Sequence, residues 1–244
     1  MKNLSEFISP AYDGLSGREE IEWANFWYSK AQNPPPIGEQ RILLVGDSTA
    51  RMVRSTFERS LGVPVDMIGT SCGLHDILFI RQVEAFFASS LYKYSAIYIQ
   101  MGHHSIRGEG GELYQEPDYE RFREDYKGLL TYLRQYTSHI ILLTCFLNVM
   151  PLPPKFSSVL KSIPILAWRK IKGEKIDYSW SDVVIRKNAI IKDIAEKEGL
   201  KFCDIDGWMR AQCQGWFPKY IHLDHIHYEP RAKAAIVKEY AKYL

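Results

Sequence analysis

The chain has 244 residues, 46% of them hydrophobic and 25% charged, with 31 Lys and Arg against 29 Asp and Glu for a formal net charge of +2. This usage excludes a disordered, collagenous or low-complexity chain, and the length supports a sizeable core in one or two domains without disulfide staples. The near-balance of charge leaves no electrostatic footprint for a phosphate backbone, so no nucleic-acid partner is expected.

Residues 1–38 read as an irregular or partly helical arm that ends in Pro34-Pro35-Pro36, a stiff linker, and a single domain is expected over 39–244. The opening Met1-Lys2-Asn3-Leu4-Ser5-Glu6 carries an early acid and no apolar run of signal-peptide type, so the expectation is a soluble, cytoplasmic protein. Residues 41–45, Arg-Ile-Leu-Leu-Val, form the continuous apolar run of a strand buried on both faces. Gly46-Asp47-Ser48 punctuates it, and 49–61 reads as a helix. A second strand over 63–68 closes on Gly69-Thr70-Ser71-Cys72-Gly73 and is followed by a helix over 76–91, with Asp76 as its cap. A third strand over 96–101 stops at Gly102, and 119–136 has helical period.

Residues 140–146 are a fourth strand. The apolar stretch 140–150 is too short for a span of about 20 residues and runs into Pro151, Pro153 and Pro154, so no stable membrane insertion is expected. A helix over 181–198 ends at Gly199, 201–205 is a short fifth strand, and a last helix runs from Pro230 to the chain end. Five strands separated by helices imply βαβ units: a three-layer α/β/α sandwich with a five-stranded parallel sheet. The insertion at 150–180 breaks this rhythm. Within 157–175, Ile163, Ile165, Leu166 and Trp168 alternate with Lys161, Arg169, Lys170 and Lys172. That pattern fits a cap over a pocket, a basic surface for peripheral contact with a membrane or lipid-linked substrate, or an ordinary surface insertion. Oligomeric state has no signature in the sequence.

In an open α/β sheet, ligands bind beyond the carboxyl ends of the strands. After the first strand, Ser48 stands at a strand-to-helix turn, where unpaired N–H groups stabilise an anion. That is the setting an acyl-transfer nucleophile needs, although Ser48 or Thr49 would equally serve as a helix cap. After the third strand comes Gly102-His103-His104-Ser105, and before the last helix comes His222-Leu223-Asp224-His225-Ile226-His227. An Asp and a His three apart can share one hydrogen bond and leave the far ring nitrogen for a nucleophile, giving the order Ser, Asp, His. The cluster of His222, Asp224, His225 and His227 fits no metal-ligand spacing, and Cys72, Cys145, Cys203 and Cys213 are scattered without CxxC pairs. No metal, cofactor or disulfide is expected, and the thiols read as buried.

These blocks resemble the SGNH, or GDSL-type, serine hydrolases, a family of esterases, lipases and O-acetyl esterases with a flavodoxin-like α/β fold. Gly46-Asp47-Ser48 is similar to the first family block, with Ser48 in the nucleophile position, and Asp224-His225-Ile226-His227 to the last, Asp-x-x-His. The resemblance implies catalytic Ser48, Asp224 and His227. It also implies an oxyanion hole from the backbone of Ser48, a glycine after the second strand (Gly73, with Gly69 as the alternative) and a side chain of the third block. That third block departs from the usual Gly-x-Asn-Asp and puts His104 where Asn stands; a neutral imidazole donates from one nitrogen. Relatives with Gly-x-His that act on acyl-decorated glycans also carry an Arg soon after Gly-Asp-Ser, as Arg51 and Arg54 do here. The implied activity is hydrolysis of an O-acyl, chiefly O-acetyl, ester of a small molecule or glycan. The alternatives are O-acyl transfer to a glycan hydroxyl, or an inactive glycan-binding or scaffold module.

Overall fold

A computed structural model describes residues 24–30, 38–74, 76–90, 92–104, 118–146, 179–213 and 230–244, together with 163, 164, 167 and 171. In chain order the elements are β1 (Ala24–Trp27), β2 (Ile42–Gly46), α1 (Ser48–Leu61), β3 (Val65–Thr70), α2 (Ile77–Ser89), β4 (Ala96–Gln100) and α3 (Tyr119–Leu133). There follow β5 (Ile140–Leu143), α4 (Ser179–Glu198), β6 (Lys201–Cys203), α5 (Ile205–Cys213) and α6 (Pro230–Tyr240), the last closing in a single 3-10 turn.

The sheet has the order β1-β3-β2-β4-β5-β6. Strands β3, β2, β4, β5 and β6 are mutually parallel. Every residue of β2, β3, β4 and β5 is buried. That accounts for the unbroken apolar runs: each strand is covered on both faces, and adjacent side chains enter opposite layers. Leu43, Val45, Ile97 and Ile99 pack beneath α2, α3 and α4. Ile42, Leu44, Ala96 and Tyr98 pack beneath α1, α5 and α6. The result is the expected three-layer α/β/α sandwich.

Two features differ from the sequence expectation. Among the described residues the sheet has six strands rather than five, because β1 pairs antiparallel with β3, from Ala24 opposite Thr70 to Trp27 opposite Met67. The segment expected as an irregular arm therefore supplies an edge strand. Four residues carry too little pattern to announce a strand; pairing to the longer β3 and packing of Phe26 against Tyr28 and Phe86 hold this one in place. The second difference is α5, which occupies 205–213 directly after β6. Of the insertion at 150–180, residues 163, 164, 167 and 171 are described besides 179–180; Ile163 and Ile171 are exposed there. The remainder of that expectation lies outside the described residues. Among the described residues no helix is long and apolar enough to cross a membrane.

The amino edge of the sheet is fixed by one buried guanidinium. Arg41 donates to Asp66 Oδ1 (2.6 Å), to the Ser29 carbonyl (2.7 Å) and to Glu39 Oε2 (2.8 Å), and its plane lies 3.7 Å from the Tyr92 ring centre. Tyr94 Oη completes the set with a bond to Asp66 Oδ2 (2.9 Å). All of this lies at the end of the strands opposite Ser48.

Candidate active site

The strand order β3-β2-β4-β5-β6 reverses direction of winding between β2 and β4, and such a switch point opens a crevice at the carboxyl edge. Ser48 follows β2 there, Gly73 follows β3, and His104 follows β4, so three of the expected site residues come from three adjacent strands. Gly69 differs from Gly73 in its place: it is inside β3, paired with Asn25 and Gly46, and its carbonyl accepts Gln82 Nε2 (2.7 Å).

The turn from β2 into α1 takes a single residue, Asp47, whose extended backbone (φ −93°, ψ −158°) makes it the helix cap. Its Oδ1 accepts from Thr49 N (2.8 Å) and Thr49 Oγ1 (2.6 Å), and its carbonyl accepts the first helical bond from Arg51 N (2.9 Å). Capping is therefore done by Asp47, and neither Ser48 nor Thr49 is the cap. Ser48 is the first helical residue and half-buried. Asp76 caps α2 as expected, accepting from Leu78 N (2.9 Å).

The other oxygen of Asp47 meets a residue that pattern alone passed over. His103 Nδ1 lies 2.6 Å from Asp47 Oδ2, and its Nε2 lies 2.7 Å from the carbonyl oxygen of Phe146. Both side chains are buried, His103 at 5% and Asp47 at 2% exposure. Burial alone would push the Asp47 carboxyl up, but the charge and hydrogen bond of His103, helped by His104 and Thr49, hold it well below the usual carboxylate range. Burial would likewise push the His103 ring down, yet Asp47 and Cys145 raise it well above an ordinary histidine.

These opposite shifts set a pH window. The depressed carboxyl stabilises the fold above its ordinary value of 3.8, and this is lost as pH falls through its folded value. The raised imidazole stabilises below its ordinary value of 6.5, and this is lost as pH rises toward its folded value. The difference in thermal midpoint between the wild type and an Asp47→Asn/His103→Gln double variant is thus expected to peak between about pH 4 and 6.5. A calorimetric series from pH 3 to 9 checks it; a difference that is flat across the series contradicts the assignment.

Two residues of α4 brace the neighbouring strand ends. Asn188 accepts at Oδ1 from Cys145 N (2.8 Å) and donates from Nδ2 to Cys145 O (2.7 Å), so its side-chain amide holds the backbone two residues beyond β5, next to the carbonyl of Phe146. Lys187 Nζ, 3% exposed as a residue, donates to the His104 carbonyl (3.1 Å). Burial pushes its ammonium down to about 8. Arg54, by contrast, turns away from the carboxyl edge: it donates to the Val65 carbonyl (2.9 Å) at the start of β3 and pairs with Glu58.

Asp224 and His227, with His222 and His225, lie outside the described residues. The helix that follows them is described, and it constrains where the chain arrives. The end of α6 is held at the amino edge of the sheet, where the Tyr243 carbonyl accepts His139 Nε2 (3.1 Å) and Lys201 Nζ (2.8 Å) from the starts of β5 and β6. An 11-residue helix climbs about 16 Å, roughly the length of a five-residue strand, so α6 begins near the carboxyl edge. It packs beside α1, and Tyr240 meets both Phe57 and Tyr98. The chain therefore enters α6 on the edge that carries Ser48, three residues after His227.

No family model and no curated protein matches the sequence. Solved structures do match. Axe2, an acetylxylan esterase from Geobacillus stearothermophilus, superposes with a TM-score of 0.54 at 11% identity, over 86% of this chain and 96% of that one. A GDSL-like lipase from Bacteroides thetaiotaomicron gives 0.56 at 12% identity, over 95% and 94%. A member of the lipolytic G-D-S-L family from Veillonella parvula gives 0.56 at 12%, over 83% and 97%. The chain has the fold of these GDSL-type, or SGNH, hydrolases.

Proposed function

We propose that the chain is a serine esterase of the SGNH type, acting on an O-acetyl ester carried by a carbohydrate. The observation that carries this reading is the placement of Ser48 as the first residue of a helix at the carboxyl edge of β2, with the capping bond made by Asp47 instead of by the serine itself.

The steps follow from that placement. Ser48 Oγ attacks the ester carbonyl carbon while His227 takes its proton, and Asp224 orients His227 and favours the imidazolium. The negative charge that forms on the carbonyl oxygen falls beside the N-terminus of α1. There the backbone N–H groups of Ser48 and Gly73, with a ring N–H of His104, receive it. His227 returns the proton to the departing alcohol, and water then attacks the acyl-enzyme by the same route to release acetate and Ser48. The arrival of α6 at the carboxyl edge supports the triad, and Gly73 is preferred to Gly69 because it lies beyond the strand ladder. The likeness to an acetylxylan esterase supports an acetylated glycan as the substrate class.

The test combines labelling and turnover. Purified protein is expected to react with a fluorophosphonate probe at Ser48, to hydrolyse p-nitrophenyl acetate, and to release acetate from acetylated xylo-oligosaccharides. A folded protein that takes no label and releases no acetate overturns the esterase reading; labelling with no release from any acetylated sugar overturns the substrate class alone.

His104 gives a sharper expectation. His104→Ala should lower kcat on p-nitrophenyl acetate by about 10²–10³-fold, as loss of one oxyanion donor does elsewhere, with little change in KM. His104→Asn should recover part of that loss because an amide donates from a similar place. Steady-state kinetics on the two variants, beside their melting curves, check it. If the Ala variant loses stability and the Asn variant recovers nothing, His104 acts only in packing.

A further inference from the structure

We infer that His103 is a positioning residue of the esterase site: a buried imidazolium that locks the Ser48 turn to the His104 loop and cancels the charge of Asp47 beside the developing oxyanion. This rests on the reading of Ser48 as the nucleophile.

The protonation state follows from the partners. A peptide carbonyl has no proton to give, so the Nε2 of His103, 2.7 Å from the Phe146 oxygen, must carry hydrogen. At Nδ1 the partner is a carboxylate whose other oxygen already accepts two bonds from Thr49, the pattern of an ionised group. Nδ1 then carries hydrogen too, and the ring is a cation. Neutralising it would set a ring lone pair against the lone pairs of an acceptor.

The mechanical consequence is a three-point tie. Asp47 follows β2, His103 follows β4, and Phe146 follows β5, so one ring joins the exits of three parallel strands at the switch point. Ser48 is the next residue after Asp47, and His104 the next after His103. Holding Asp47 against His103 therefore sets the separation of nucleophile and oxyanion donor.

The electrostatic consequence concerns Asp47. It caps α1, but its negative charge lies at the same helix end that must receive an oxyanion. In a low-dielectric site an unbalanced carboxylate there would oppose the charge that forms in the transition state. The imidazolium offsets it without releasing the cap. The other groups that face this pair are His104 on the same loop, Cys145 at the end of β5, Tyr240 from α6, and, around Cys145, Tyr126 from α3 and Lys187 from α4. None of these adds a second carboxylate, so among the described residues the charge at the Ser48 turn is balanced between Asp47 and His103.

Three measurements test this. His103→Gln keeps one donor and loses the charge; it should lower kcat on p-nitrophenyl acetate at least tenfold with KM within about twofold. Adding Asp47→Asn, which removes the carboxylate charge left behind, should restore part of that kcat. A purely structural role predicts the reverse, with the second substitution deepening the loss. The third measurement uses the wild-type chain and needs no variant to fold: nitrogen-15 NMR of labelled histidine should show both ring nitrogens of His103 protonated at pH 7, and kcat should fall as pH rises through the titration of that signal. A neutral His103 ring at pH 7, or a kcat that stays flat across its titration, overturns the inference, as does a His103→Gln variant with unchanged kcat. Absence of labelling and turnover in the wild type would instead remove the esterase reading beneath it.

Discussion

Ser48→Ala will abolish ester hydrolysis and fluorophosphonate labelling, with kcat lower by about a millionfold, the loss seen when a serine nucleophile is removed from hydrolases of unrelated fold. The same change should leave stability within about 0.5 kcal/mol of wild type. The two halves of this expectation come from one local arrangement. Asp47, not Ser48, supplies the side-chain oxygen that satisfies the first turn of α1, so losing the hydroxyl leaves the cap intact. In the proposed mechanism the hydroxyl is the reacting atom, and no other group in that mechanism replaces it. Side-by-side melting curves and single-turnover kinetics decide the matter. A variant that melts early and keeps its activity per folded molecule would show that Ser48 serves the helix and not the chemistry.

The largest loss of stability is expected two residues earlier. A Cβ on Gly46 would lie 2.5 Å from the Cβ of Ala50 and 2.9 Å from the carbonyl oxygen of Gln100. Neither obstacle is the tip of a flexible side chain: one is anchored in α1 and the other is the backbone of β4. The helix begins so close to the strand end that it passes over Gly46 at a distance only a hydrogen allows. Gly46→Ala should therefore cost about 3 kcal/mol of overpacking, roughly 6–12 °C in thermal midpoint for a chain of this size. It should also reduce turnover of the fraction that folds, because relief requires α1, and Ser48 with it, to move off the sheet. Thermal melts and kcat per active site, counted by fluorophosphonate labelling, check both parts. A Gly46→Ala protein with an unchanged midpoint would mean that α1 can shift freely.

How far the sequence announced all this depended on where the information lies along the chain. Strands such as Ile140–Leu143 are legible because burial on both faces demands consecutive apolar residues, a local signature. The glycines that end strands and the cap Asp76 are equally local, which is why Ser48, Gly73 and His104 were expected at one sheet edge, whereas the α1 cap, expected at Ser48 or Thr49, is Asp47. β1 was not legible, since a four-residue strand owes its existence to the partner it pairs with. The tie between Asp47 and His103 was also hidden: it spans 56 positions and exists only because the strand order sets β2 beside β4. The one signal available was a second histidine in Gly102-His103-His104, and the family pattern drew attention to its neighbour. Arg54 erred in the opposite direction, since its position after Gly-Asp-Ser invited a role in the site while its guanidinium is engaged with the backbone at the start of β3.

The separation of the two cores has a consequence for how such a protein tolerates inherited change. α1 and α6 share one layer, packed through Val53, Phe57, Ile236 and Tyr240, while α2, α3 and α4 share the other. The strands β2 to β5 between them are buried on both faces. Altered packing under α2 or α3 is felt as a loss of stability spread over the whole fold. Altered packing between α1 and α6 also changes the spacing between the chain that carries Ser48 and the chain that follows Asp224 and His227. Lineages descending from this sequence can thus accumulate substitutions in one layer up to the limit that folding sets. In the other layer, each accepted change must be matched by a compensating one across the α1–α6 contact.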